Sequence, residues 1–198
     1  LEFRRVLFRS GRIVDVDHVL EAGRLPAAVR SGTFDYVVAA HVFEHIADPL
    51  GWLCDCAAAL RPGGLLALVV PDQRFTFDLP RPLTRFSEWI EAWLVGRRQP
   101  SPRHIMEAAT GSARIVGGSP WQRRPTAKEL RPTNAKTDQW ALSLAKRGVE
   151  EYVDVHCTVC TPASCLELLA RGAALDLHPF RLARFQDRKS TRLNSSHA

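Results

Sequence analysis

The stretch FDYVVAAHVFEHIADPLGWLCDCAAALRPGGLLALVVPD, residues 34–72, decides the fold. Residues 36–40 (YVVAA) are a short run of β-branched, aromatic and small residues, the pattern of a strand buried on both faces of a parallel sheet. A second such run, LLALVV, occupies residues 65–70. Between them Leu50, Leu53, Cys54, Ala57, Ala58 and Leu60 recur at helical spacing. Asp48-Pro49 supplies an N-cap followed by proline at the first helical position, and Pro62-Gly63-Gly64 breaks the helix before the second strand. Strand, helix and strand in this order predict one right-handed βαβ unit of an α/β sheet.

These residues also carry a family resemblance. FDYVVAAHVFEHIADP followed by LRPGGLLALVVPD resembles the fourth strand, following helix and fifth strand of class I S-adenosylmethionine-dependent methyltransferases of the type 11 kind. Asp72 to Asp78 with Arg81-Pro82-Leu83-Thr84 resembles the continuation found in one bacterial subgroup, and Tyr152 to Cys157 with Thr161 to Ser164 resembles a later element of that subgroup. The resemblance implies an incomplete Rossmann-like, mainly parallel sheet with helices on both faces and an irregular insertion at about residues 73–150.

Composition bounds the function classes. A chain of 198 residues with 45% hydrophobic content is one domain by length and can bury a proper core. No apolar run is long enough to span a membrane, and no signal peptide is visible. Five cysteines, at 54, 56, 157, 160 and 165, do not form an even disulfide framework, which points to a reducing, cytoplasmic setting. The net charge of +6 invites a nucleic-acid partner. Residues 1–10 carry +2 and residues 188–198 carry +3, however, so residues 11–187 hold only +1. We therefore expect neither a nucleic-acid nor a membrane partner, and the oligomeric state stays open. Both tails resemble translated sequencing-adapter read-through, which makes 11–187 a partial methyltransferase domain between foreign tails.

Residues 12–17 (RIVDVD) read as a short strand ending in an acidic residue. The resemblance places Asp17 where a carboxylate accepts from the adenine amino group and His18 where a backbone amide meets the ring. It places Ala40 and His41 along the cofactor at the carboxyl end of the central strand, the edge where open α/β sheets bind ligands. Asp72 stands at the mouth of the same edge. His45 follows in the strand-to-helix junction as a candidate base, although an imidazole simply hydrogen-bonded there is the simpler reading. His41, Glu44 and His45 permit a metal reading, but HVFEH lacks an adjacent His-Glu pair and a third ligand cannot be identified, so no metal is expected. His156-Cys157-x-x-Cys160 resembles a metal knuckle only superficially.

Further along, Asp72, Arg74, Asp78 and Arg81 alternate with Phe75 and Phe77, either as an acceptor-binding wall or as a salt-bridged surface loop. Trp89, Ile90, Trp93 and Leu94 predict a helix capped by Ser87, and residues 96–137 an irregular insertion in which Trp121, Arg123 and Arg124 form a cationic cluster. Residues 137–151 predict a polar helix, 163–172 a helix behind Thr161-Pro162, and 175–185 an edge strand. The glycine-rich cofactor loop of the family has no counterpart in residues 1–12.

The function expected is methyl transfer from S-adenosylmethionine to a small-molecule or glycan-like acceptor, with the chain as given binding the cofactor weakly. Two other classes stay open, a non-catalytic α/β scaffold and a nicotinamide-dependent oxidoreductase, and the same absent loop argues against the latter.

Overall fold

The computed structural model describes residues 18, 23–113, 126–130 and 138–187. The expected strand before Asp17, both terminal tails and the Trp121–Arg124 cluster lie outside these residues.

Strand β1 (Phe34–Ala40) and strand β2 (Leu60–Val69) pair in parallel, with Tyr36 opposite Leu65 and Ala40 opposite Val69. Helix α1 (Pro49–Ala59) crosses over between them, and Asp48 caps it by accepting from the Gly51 amide at 2.9 Å. This is the βαβ unit that the spacing predicts. β2 starts earlier than expected, because Leu60 already pairs with Phe34. The Pro62-Gly63-Gly64 turn is absorbed as an irregularity in the ladder, with Gly63 at φ +80° and Gly64 packed against Asp35 and Leu60.

Burial on α1 extends nearly round the helix. Leu50, Trp52, Leu53 and Cys56 join Ala39, Phe43, Ile46, Phe86, Trp89 and Leu168 in one core. Asp55 is also buried, and it is held by Arg24 at 2.5 and 2.7 Å and by Arg30 at 3.2 Å, so the segment before β1 is tied onto the helix. Only one sheet face meets the core. Val37, Leu66 and Leu68 pack inward, whereas Tyr36 (67%), Val38 (64%) and Leu65 (62%) stand exposed. The two-faced burial expected of these strands is therefore not met among the described residues, where the helices cover a single face.

Helix α2 spans Phe86–Leu94 and buries Phe86, Trp89 and Ala92, with Arg85 rather than Ser87 at its N-cap. Helix α3 (Pro102–Gly111) falls within the segment expected to be irregular. Its signal was local: Ser101 caps it in a reciprocal capping box with His104, and Pro102 takes the first helical position. Ile105 and Ala109 are buried on α3, and Ala141 and Ala145 on α4 (Asp138–Arg147), which packs against it. Helix α5 (Pro162–Ala174) is capped by Thr161 in a second capping box and buries Leu168.

Residues 175–185 do not form the expected edge strand. Asp176 turns at φ +55°, the Leu177 amide donates back to Gly172 at 3.0 Å, and the Leu177 carbonyl accepts the Cys54 thiol. The chain is thus folded over the end of α5 and against α1, and among the described residues 175–185 pair with no strand. Among the described residues, no helix is long and apolar enough to cross a membrane.

Candidate functional site

The parallel register brings the two strand ends together at one edge. Beyond the Ala40–Val69 pair, the His41 amide donates to the Val69 carbonyl at 3.0 Å, and the backbone of His41 turns into the left-handed region at φ +54°. That conformation is uncommon for a residue with a side chain and ends the strand abruptly. The following single turn of 3₁₀ helix, Phe43–His45, is anchored by Phe43, which is fully buried between Trp52 at 5.7 Å and Trp89 at 5.6 Å. With Phe43 pinned, Glu44 is forced inside at 1% exposure, and His45 sits at the rim with a side chain 20% exposed.

A distant segment completes the edge. The Glu44 carbonyl accepts the Cys157 and Thr158 amides at 2.6 and 3.1 Å, which lays residues 154–158 across the turn. His45 Nδ1 then meets Asp154 at 2.7 Å, and its ring stands edge-on to that of His156, 4.7 Å between centroids. His156 Nδ1 is held by Asp78 at 2.5 Å, Asp78 accepts from Arg81 at 2.6 Å, and Arg81 donates in turn to the His156 carbonyl at 3.0 Å. Asp78 and Arg81 are 2% and 3% exposed, so of the two readings of this loop the surface salt bridge does not hold for them.

The charges follow from this packing. Burial alone would lower the pKa of His45, but the hydrogen bond and charge of Asp154 outweigh it and raise the value above that of a free imidazole. The His45 hydrogen bond in turn lowers that of Asp154. For Asp78, burial pushes upward, and the combined pull of His156 and Arg81 wins and lowers it. Burial drives the Cys157 thiol up to about 12, which keeps it protonated and inert.

Of the residues singled out from sequence, Ala40 is the last residue of β1, and His41, His45 and Asp72 follow the strand ends at this edge. Asp72 follows β2, and its carboxylate accepts from the Arg74 amide at 3.0 Å and from the Arg74 guanidinium at 2.6 Å, so it shapes the loop in which it stands. His18 is exposed, while Asp17 lies outside the described residues, which leaves the adenine-side pair unplaced. Asp154 and His156 were not singled out as site residues. They sit more than a hundred positions from His45, and the signals there, the resemblance of Tyr152 to Cys157 to a family element and the alternating carboxylate and imidazole of Asp154-Val155-His156, do not by themselves point to His45. A cavity of about 240 Å³ lined by Glu88, Glu91, Arg97 and Ser101 to His104 includes none of these residues, and its charges are paired, Arg103 with Glu88 at 2.8 Å and Arg97 with Glu91 at 3.3 Å.

Comparison with known proteins bears on this edge. The chain is similar to the ubiquinone biosynthesis O-methyltransferase of Parvibaculum lavamentivorans, 51% identical over 39 residues, which are 20% of this chain and 15% of that protein. It is similar to the proteins of the same name from Aromatoleum aromaticum, 40% identical over 58 residues (29% of this chain, 24% of that protein), and from Xanthomonas campestris pv. campestris, 40% over 55 residues (28% and 23%). The matched stretches thus span a quarter or less of those proteins. No solved structure matches the chain. The methyltransferase domain profile matches residues 6–110, which takes in the whole βαβ unit, the left-handed turn at His41 and the Asp72 loop. With that profile covering more than half of its length, the chain belongs to the methyltransferase domain family.

Proposed function

We propose that the edge formed by Ala40, His41, His45 and Asp72 is the meeting point of S-adenosylmethionine and a hydroxyl-bearing small-molecule or glycan-like acceptor. The observation that carries this reading is the His45–Asp154 pair, which sits beside the left-handed turn at the carboxyl end of the central strand, where open α/β sheets bind their ligands. Bound S-adenosylmethionine supplies an electrophilic methyl group on a sulfonium, so the protein's work is to hold donor and acceptor in line and to take up a proton. The chain's own residues fit one side of such a cofactor: Ala40 is exposed at the strand end, and the turn at His41 opens the backbone there. Asp17 and His18 are the adenine-side residues in this reading.

Asp154 holds Nδ1 of His45 and orients the ring, and in this reading Nε2, 4.0 Å from Glu44 Oε1, receives the acceptor's proton as the new carbon–oxygen bond forms and the carbon–sulfur bond breaks. His45 is the base, Asp154 its positioning residue, and Asp72 with Arg74 shapes the mouth. The O-methyltransferase names of the similar proteins favour oxygen as the acceptor atom.

The test is equilibrium dialysis of labelled S-adenosylmethionine and of NADH against this chain and against a longer one that carries a glycine-rich loop. S-adenosylmethionine retained by the longer chain and displaced by S-adenosylhomocysteine is the expected result. Preferential NADH binding, or no binding of either ligand to the longer chain, would refute the reading. A glycine-rich loop that adds two or three hydrogen bonds, one of them to a charged group, contributes about 3 to 6 kcal/mol, so the chain carrying it should bind roughly a hundredfold or more tightly.

A further inference from the structure

We propose that Glu44, His45 and His156 form a binding site for a first-row divalent transition metal, with zinc the ion that the donors suit best. One ligand atom from each residue lies within 4.8 Å of the other two. A tetrahedral zinc site with bonds of about 2.1 Å has donor separations of about 3.4 Å, so side-chain rotations alone would close the set.

Three features go beyond proximity. Glu44 is 1% exposed, and its Oε2 has no hydrogen-bond partner among the described residues. A buried carboxylate oxygen with nothing to accept is costly, and a cation is the partner that would satisfy it. Both imidazoles have Nδ1 held by an aspartate, His45 by Asp154 and His156 by Asp78. This is the bracing by which outer carboxylates fix the tautomer of metal-bound histidines and leave Nε2 as the donor. Finally, of the carboxylates of Glu44, Asp78 and Asp154 only Asp78 is paired with a guanidinium among the described residues, that of Arg81 at 2.6 Å, while Glu44 and Asp154 meet imidazoles, so these four side chains hold two net negative charges when the rings are neutral.

Two nitrogens and one oxygen select against magnesium and calcium, which take oxygen ligands, and favour zinc and its neighbours. The site is also prepared in the backbone. Phe43 pins the turn in the core, and the Glu44 carbonyl binds the amides of Cys157 and Thr158, so two of the three ligands come from one turn and the third from a strand of chain tied to it. Three protein ligands leave a position open, and the partial exposure of His45 gives it access to solvent. A cation here would occupy the nitrogen that otherwise accepts a proton, so metal loading and base duty at His45 exclude each other. The binding test below does not depend on methyl transfer.

The full chain, stripped of metal with a chelator, is titrated with Co(II) and read by visible absorption, then challenged with Zn(II) and separately with Mg(II). The expected result is one Co(II) per chain with a low-coordinate spectrum, displaced by Zn(II) and not by Mg(II). Glu44→Gln and His156→Gln should each weaken binding by more than about a hundredfold, and Asp154→Asn by about ten- to a hundredfold. Zn(II) should also raise the melting temperature of the unaltered chain, a readout that requires no variant to fold. An absent spectrum at millimolar Co(II), a sulfur charge-transfer band that puts the ion on the cysteines, or equal affinity for Mg(II) would each overturn the proposal.

Discussion

Replacing Asp78 by asparagine removes one charge from a group 2% exposed that accepts from Arg81 at 2.6 Å and from His156 at 2.5 Å. Among the described residues, Arg81, 3% exposed, is then left with no carboxylate nearer than Glu107 at 4.0 Å, beside the His156 carbonyl at 3.0 Å, and its Nε has no partner. An uncompensated buried charge of this kind costs about 3 to 5 kcal/mol. The substituted amide can still offer one oxygen to Arg81, so we expect a loss near the lower figure, about 3 kcal/mol. Urea unfolding at neutral pH, followed by circular dichroism, should show a lower midpoint with an unchanged slope. Adding Arg81→Met to Asp78→Asn should cost less than the sum of the two single changes, because the second substitution removes the charge that the first left stranded. A loss below about 1 kcal/mol, or strict additivity, would mean that the pair behaves as a solvated surface bridge, and our account of the loop would fail.

Gly51→Ala puts a Cβ into the Asp48 carboxylate that caps α1, so the cap must break and stability should fall by about 1 to 2 kcal/mol in the same unfolding assay; an unchanged midpoint would show that the cap can shift without cost. Burial and the neighbouring Arg103 and Arg97 hold the His104 pKa down at about 4, below the unfolded value of 6.5. The unfolded chain therefore binds the extra proton first, so this contribution is complete above pH 6.5 and fades as the pH falls from 6.5 to 4; on the order of 3 kcal/mol should disappear in that window, and His104→Gln should flatten the profile. Asp154→Asn removes the group that raises the His45 pKa, so the NMR titration midpoint of His45 should fall, and an unmoved midpoint would show that the pair does not form in solution.

The βαβ unit was legible in the chain because its signals are local. A proline-led cap at Asp48-Pro49, helical spacing up to Leu60 and two flanking apolar runs each act over a few residues, and the ladder from Tyr36–Leu65 to Ala40–Val69 follows from them. The same kind of signal at Ser101-Pro102 specified α3, in a region where arginine and proline content masked the helical spacing. His41, His45 and Asp72 could be placed at the strand ends by connectivity alone.

What accompanies them was decided by the tertiary structure. Asp154 and His156 reach His45 across more than a hundred residues because the Glu44 carbonyl binds the Cys157 and Thr158 amides, and no periodicity encodes a contact between backbone groups that far apart. Burial of Asp78 and Arg81 was equally hidden, since alternating charges read the same on a solvated loop as in a closed network. The segment 175–185 carried apolar residues enough for a strand, yet a strand exists only beside a partner edge, and here the chain returned onto α5 and α1 instead. Local propensity thus selected the elements, while long-range hydrogen bonds around the buried Phe43–Glu44 turn decided which side chains share the site.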